Sequence, residues 1–468
     1  MPWLRTMLGH LGWTERLAGA ADGPRPRHFE VAIWVLGGLS SLVYASMLVR
    51  LGVRPILLRW GFPLQDFIPF FLGHFALLFA LLLVAARCAF MSDTDDPRVV
   101  ALIVGFGVCF RLMLLPTPPV LSSDVFRYIW DARVQTAGES PYLSTPASFV
   151  SASEIQAPLY QQQNRPFAPT IYPPLAEVAF RSVRAVCGES VVAMKALMVA
   201  GDLCALVLLL RLLAAFELPR SRIILYAWHP LMIVETAGSG HVDALMLPCI
   251  LTAVLLWVRG RTAGAGTALA AATLLKIFPM TLVPAFFDRC RWRVLLWYGG
   301  AVALVYLPFA LQAGFAVLGY LPQFLRDPGE VFNPSVMGVL LYLMQFFTGA
   351  PTQWVSWIGR AALIAVLLTV LRRPGRRPQD LLASIWVIAG ALTLFTLTLH
   401  PWYLLWLLPF LAVQPKPAWV YLSGAVVLSY AFYLAPTLPI RLGIALGEYV
   451  PFVLLLAREN ARASDARL

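Results

Sequence analysis

The chain has 468 residues, 59% hydrophobic and only 13% charged, with a mean hydropathy of +0.74 and a formal net charge of +12. Soluble domains carry about 25% charged residues, so this composition excludes an ordinary water-soluble globule: most of the surface must face lipid. The positive charge does not indicate nucleic acid either. The arginines sit at the ends of apolar blocks, at Arg220/Arg222, Arg259/Arg261 and Arg372/Arg373/Arg376/Arg377, with no basic stripe interleaved with aromatics, which is the pattern of cytoplasmic loops between membrane helices.

The predicted fold is all-α, a polytopic transmembrane helical bundle. A span needs about 20 apolar residues to cross roughly 30 Å of hydrocarbon. Candidate spans, in order, are 31–49, 67–86, 99–116, 191–210, 222–236, 244–258, 294–312, 353–371, 380–398, 402–413, 418–434 and 439–457, about 12 in all. Residues 1–28 mix Arg, His, Gly and Pro ahead of an apolar block too long for a cleavable signal core. The expected organisation is therefore a cytoplasmic segment with two spans over 1–98, a main membrane module over 99–457 and a cytoplasmic tail over 458–468. Arg5, Arg16, Arg25 and Arg27 at one end, and Arg458, Arg462 and Arg467 at the other, put both ends in the cytoplasm. Arg50, Arg54 and Arg59 fall in an outer loop and break that rule.

Two segments do not fit as simple crossings. Residues 263–287 lie between basic loops and carry Lys276 and Pro279 (LLKIFPM), which predicts a broken helical hairpin. Residues 336–349 read as a re-entrant or interfacial helix. The outer loops are 117–190 and 313–335. Of the six cysteines, Cys88, Cys109, Cys187, Cys204, Cys249 and Cys290, none has metal-like spacing. They read as small buried residues outside any disulfide.

Chemistry concentrates where spans meet outer loops. Residues 122–146, SSDVFRYIWDARVQTAGESPYLSTP, follow the third span and place Asp124, Arg127, Tyr128 and Asp131 at helical spacing on one face. Carboxylates at the mouth of a membrane bundle must be paired or used. Arg127 can pair with either Asp, and spacing alone also fits a salt-bridged interfacial helix. Arg165 follows in the same loop, then Tyr172 in IYPPL, a turn stiffened by paired prolines. Residues 228–243, WHPLMIVETAGSGHVD, end a short apolar stretch in Glu235, His241 and Asp243 between glycines. That pattern fits a polar cavity or a flexible turn. Asn333 (VFNPS) sits in the second outer loop, as a substrate contact or an N-cap. LHPWYLLW supplies His400 at the outer end of one span, with Trp402 and Tyr403 opening the next. The charge-derived topology puts Asp124, Asp131, Glu235, His241 and His400 on one side, which implies a single outward-opening polar cavity.

SDVFRYIWDARVQTAGESPY, IYPPLAE, AGSGHVDALM, LLKIFP and LHPWYLLWLLP, in that order over roughly 120–410, make the chain resemble the GT-C superfamily of polytopic glycosyltransferases. The bacterial branch of polyprenyl-phosphomannose-dependent α-mannosyltransferases is the most similar. Many relatives carry the acidic motif after their first span, whereas two further spans precede it here, and Ala132 stands where Gly is common. The resemblance implies a polyprenyl-phosphate sugar donor, mannose by family default, a lipid or glycan acceptor, and inversion at the anomeric carbon. It implies Asp124 as the catalytic base and His400 as a contact to the donor phosphate. Arg127, Arg165 and Lys276 are further phosphate candidates, Lys276 only where its broken helix reaches the cavity. No cofactor is implied, and a divalent metal is left open. The expected location is the cell (inner) membrane, with the site facing the periplasm or exterior. A transporter or flippase of lipid-linked sugars is the alternative, since it too needs a polar cavity in an apolar bundle.

Overall fold

The computed structural model describes residues 26–52, 64–287, 291–326, 332–333, 335–348, 353–372, 377–396, 398–434 and 437–465. Arg5, Arg16, Arg25, Arg54, Arg59, Arg373, Arg376, Arg467 and Cys290, on which parts of the orientation and cysteine readings rest, lie outside the described residues. Among the described residues every regular element is a helix.

Helices α1 (Pro26–Leu51) and α2 (Leu64–Ser92) pack on each other, and α1 also lies along α3 (Pro97–Leu114). α3 starts sharply because the Asp96 side chain accepts from Arg98 N at 2.9 Å and Pro97 opens the first turn. A short loop then leads to α4 (Asp124–Thr136), which ends at Gly138 with φ +89. The loop returns through α5 (Pro174–Cys187), opened by the paired prolines and closed by Gly188. α6 (Val191–Ala215) is capped by Ser190, whose hydroxyl accepts from Ala193 N at 3.1 Å.

The segment 222–236 is not the single span expected. It is a chain of one-turn helices: Arg220–Ile223, Ile224–Ala227 and Pro230–Ile233, then a π-helical turn at Val234–Gly238. His229–Pro230 interrupts the ladder, because proline lacks the N–H that a continuing helix needs. α7 (Asp243–Val258) and α8 (Thr262–Leu275) follow. α8 stops at an extended Lys276 (φ −153, ψ 137) and a 3-10 stretch, Phe278–Phe286, continues. The predicted break at the Lys-Pro segment is therefore present. Next come α9 (Arg291–Ala313), a short helix at Leu321–Arg326, α10 (Val336–Thr348), α11 (Gln353–Arg372), α12 (Pro378–Phe395), α13 (Leu408–Val413), α14 (Pro417–Ala425) and α15 (Leu438–Asp465). A 3-10 turn, Pro401–Leu407, leads into α13, and another, Val426–Tyr433, extends α14.

Among the described residues seven helices are long and apolar enough to cross a membrane, against the 12 or so expected: α1, α2, α3, α6, α9, α12 and α15. The expected spans 402–413 and 418–434 are, like 222–236, built from short helices, and α7 reaches only about 24 Å. Broken segments survive in a membrane protein where neighbours cover their backbone, and here they form the buried centre. Trp228 shows this: its Nε1 donates to Ile103 O at 2.8 Å while its ring meets Phe106 and Phe110 edge-on. By contrast α9 turns Trp292, Leu296, Leu304 and Leu311 outward, as a lipid-facing helix must. The five described cysteines are free. None is fully buried, and Cys187 and Cys204 are exposed, so the reading of them as buried residues is corrected.

Small residues let the central backbones touch. A Cβ on Gly107 of α3 would stand 2.7 Å from Ala227 O, whereas one on Gly105 would meet nothing within 4 Å. Gly107→Ala should therefore destabilise the protein by about 1–3 kcal/mol through overpacking, and Gly105→Ala should not. Thermal unfolding of the two variants in the same detergent checks this, and equal melting points would contradict it.

Candidate active site

Asp124 opens α4, where the helix dipole favours a carboxylate. Its N–H is held by Ser122 Oγ at 3.3 Å, and its Oδ1 accepts from Asn164 Nδ2 at 2.6 Å. Its other oxygen faces His241, with Nδ1 and Oδ2 3.6 Å apart. On the far side of the ring, His241 Nε2 lies 3.2 Å from Glu235 Oε2. Both are ion-pair separations, and neither has the alignment of a good hydrogen bond. Glu235 is fixed independently, since Tyr430 OH donates to its Oε1 at 2.6 Å. Glu235 comes from the π turn, a helix variant that recurs at functional sites because it re-aims side chains. The turn is closed by Ser239 N donating to Val234 O at 2.8 Å and His241 N to Glu235 O at 3.0 Å. Gly240, at φ +81, lets the chain reverse there.

The 3-10 turn after α12 brings in the third component. Trp402 stacks on His241 at 4.0 Å and on His400 at 4.2 Å, an imidazole–indole–imidazole sandwich. Tyr403 stands edge-on to His400. Lys276, at the break after α8, reaches the same place: its Nζ lies 2.5 Å from Asp243 Oδ2 and 5.0 Å from the centre of the Tyr403 ring. The groups expected to share one polar cavity pack directly against one another. His241 is 1% exposed, Asp124 20% and Lys276 19%. An apolar crevice of about 300 Å³, mouth included, lies behind the π turn. Met47, Leu51, Phe67, Phe71 and Val234 line it.

The charges follow from this packing. Burial alone would lower the His241 pKa, but the carboxylates of Asp124 and Glu235 override it and raise the imidazole to about 9. For Asp124, burial pushes upward, yet His241 and then Lys276 hold the carboxyl below its ordinary value. Burial pushes His400 down to about 3 against the opposing pull of Asp124, so at neutral pH it is an uncharged imidazole.

Other residues singled out in the sequence lie around this centre. Tyr128 OH accepts from Val242 N at 3.3 Å, and its ring stacks on Phe180 and meets Tyr172 edge-on. Tyr172 itself accepts, through its carbonyl, from Tyr142 OH. Arg127 takes Asp131 rather than Asp124, at 2.8 Å. Those two join Glu177, Thr170 and Gln135 in a second buried polar cluster. Burial, and then the charge of Asp131, raise Glu177 well above the usual carboxyl range. Arg165 lies over the rings of Tyr320 and Phe324, where Tyr320 N also donates to Thr170 O at 2.9 Å. The segments 117–190 and 313–335 are thereby joined. Asn333 is fully buried, accepts from Tyr449 OH at 3.2 Å and ties its carbonyl to Leu399 N. It props the chain ahead of His400, and its side chain does not touch the Asp124–His241 pair.

Residues 33–288, more than half of the chain, match the MptA_B family, described as alpha-(1->6)-mannopyranosyltransferase, N-terminal domain. The chain belongs to this family. No curated protein matches it. Membership makes the protein a membrane glycosyltransferase whose chemistry is mannosyl transfer. The match begins inside α1 and so takes in most of α1 and all of α2 and α3, the three helices ahead of the acidic motif. It contains Asp124, Glu235, His241, Asp243 and Lys276, while Asn333, His400, Trp402 and Tyr403 lie beyond it.

Several polar residues of this mannosyltransferase escaped the sequence reading: Asn164, Glu177 and Tyr430, and the buried charges Arg111, Lys195 and Asp202. The last three had a visible signal, since an ionisable residue inside an apolar span is rarely idle. Asn164 and Tyr430 had none, because amides and tyrosines are unremarkable in loops and at interfaces.

The state of His241 can be tested without substrate. Its pKa is about 9 in the fold against 6.5 unperturbed, so its stabilisation is complete below about pH 6.5 and is lost as pH rises toward 9. The melting temperature of the wild type should fall between pH 7 and 9.5. His241→Gln should melt lower at pH 7 and show a much smaller fall over that window, and parallel curves would contradict the assignment.

Proposed function

We propose that this mannosyltransferase takes its sugar from a polyprenyl-phosphate donor and passes it to a lipid or glycan acceptor on the extracytoplasmic side of the cell membrane, with Asp124 as general base. The supporting observation is that a carboxylate, held charged by a protonated imidazole, and an ammonium group converge from distant segments at one point of the bundle. Sugar transfer from a phosphate needs a base for the incoming hydroxyl and positive charge for the departing phosphate. A lipid-phosphate leaving group also suits a site embedded among membrane helices, since its donor arrives through the bilayer and no nucleotide is required. The arginine-rich loops on the opposite side favour the extracytoplasmic face.

In this reading the acceptor oxygen attacks the anomeric carbon of mannose from the side opposite the phosphate. The new C–O bond forms as the bond to the phosphate oxygen breaks, which inverts configuration. The hydroxyl proton passes to Asp124, and the electron pair leaves with the lipid phosphate. His241 keeps Asp124 ionised and aimed. Lys276 leaves its pairing with Asp243 to meet the phosphate, and neutral His400 offers a ring N–H. A transporter would need mobile charges within its helices, whereas Arg111 and Asp202 are locked to each other at 0% exposure.

Transfer of radiolabelled mannose from purified polyprenyl-phosphate mannose to a lipid acceptor in detergent tests the reading, since transport cannot register there. Asp124→Asn should lower kcat by about 10²–10⁴ while still inserting and folding. Wild-type turnover in that variant would remove Asp124 from the chemistry. Lys276→Gln should lower kcat/KM for the donor by about 10², and a loss confined to the acceptor KM would reassign Lys276.

A further inference from the structure

Inside the membrane, α3 and α6 are joined by a buried ion pair. Arg111 Nε lies 2.6 Å from Asp202 Oδ2 and its Nη2 lies 3.1 Å from Oδ1, with both side chains at 0% exposure. Arg111 Nη1 donates to the carbonyls of Gly107 at 2.9 Å and Ala227 at 2.7 Å. The Asp202 oxygens are then completed by two hydroxyls, Tyr226 on Oδ1 at 2.8 Å and Thr236 on Oδ2 at 3.0 Å. Removing two charges from water costs several kcal/mol each, and an apolar pair of the same volume is often as stable. Stability is therefore a weak reason for this network.

Its connections suggest a different reason. Thr236 is the residue after Glu235, in the middle of the π turn. A π turn is a less favourable ladder than an α-helix and persists where side chains over-determine it. This one is held from two directions: Tyr430 holds Glu235 on one side, and Asp202 holds Thr236 on the other. The Thr236 hydroxyl has a second acceptor within reach, Met232 O at 2.7 Å. Its one proton is thus divided between the Asp202 contact and an ordinary i−4 bond. Two turns back along α6, Lys195 Nζ reaches Thr117 O at 2.6 Å and Leu114 O at 3.3 Å, at the end of the helix that carries Arg111. The stem of Lys195 lies against Gly240, directly before His241, where a Cβ would come within 2.8 Å of it.

We propose that Asp202, clamped by Arg111, is a positioning residue that acts through Thr236: it sets the register of the π turn and so holds Glu235 and His241 against Asp124. The inference rests on the transfer reaction proposed above, and its test separates the two. Thr236→Val keeps the volume and leaves the Arg111–Asp202 pair intact, removing only the hydroxyl. Expected for Thr236→Val is a fall in kcat of about ten- to a hundredfold with donor KM unchanged. Thr236→Ser should restore turnover.

The second readout needs no donor. His241 is faced by Asp124 and Glu235, with His400 within electrostatic reach and Lys276 acting on Asp124, and loosening Glu235 leaves it less protonated. Its carbethoxylation at pH 7, followed by mass spectrometry, should therefore rise several-fold in Thr236→Val and not in Thr236→Ser. Unchanged carbethoxylation in Thr236→Val, or wild-type kcat in an enzyme that does transfer mannose, overturns the positioning role. A wild type that transfers no mannose, with the carbethoxylation difference intact, instead overturns the reaction and leaves the register argument standing.

Discussion

A protonated imidazole at His241 stands between the carboxylates of Asp124 and Glu235, and the rest of the site depends on that arrangement. Two buried carboxylates near each other repel, and each loses its hydration. One interposed cation offsets both effects. The same contact joins helix α4 to the π turn inside the bundle. Neutralising His241 would leave two like charges in a poorly solvated space, with Trp402 against the ring and Tyr430 donating to Glu235.

The surrounding architecture serves that contact by using backbone that a regular span cannot provide. Residues 222–238 are short turns, and Lys276 sits at an extended break. Each interruption exposes polar backbone, which a bilayer tolerates only under cover of protein. The long helices α1, α2, α3 and α6 supply that cover, and glycines such as Gly107 and Gly201 let backbone meet backbone without a side chain between. The irregular centre and the regular shell are thus one design: the broken segments carry chemistry, and the unbroken helices shield them from lipid.

Legibility from sequence varied by residue and for physical reasons. The apolar runs of α2 and α6 exceed the thickness of the bilayer, so their existence was readable at once. Asp124 and Asp131 were both visible as acids on one helix face, but that spacing could not tell which of them would take Arg127. The structure pairs Arg127 with Asp131 and leaves Asp124 for His241. Lys276 was conditional on where its broken helix ended, and it reaches Tyr403 and Asp243. Asn333 was visible only as a loop amide, and the structure buries it with its carbonyl on Leu399 N, just before His400.

By itself the sequence determined the all-helical membrane class, the position of the break at Lys276 and the residues from which a site could be built. These are local matters, decided by hydrophobic run length, proline and the scarcity of charge. Only the tertiary structure decided that Glu235, 111 residues from Asp124, would share its imidazole, that the 222–236 segment would be a run of one-turn helices ending in a π turn instead of a span, and that Arg111 would meet Asp202 between two apolar helices. Those outcomes depend on which helices become neighbours, and the preference of a buried charge is unknown until its partner is in place.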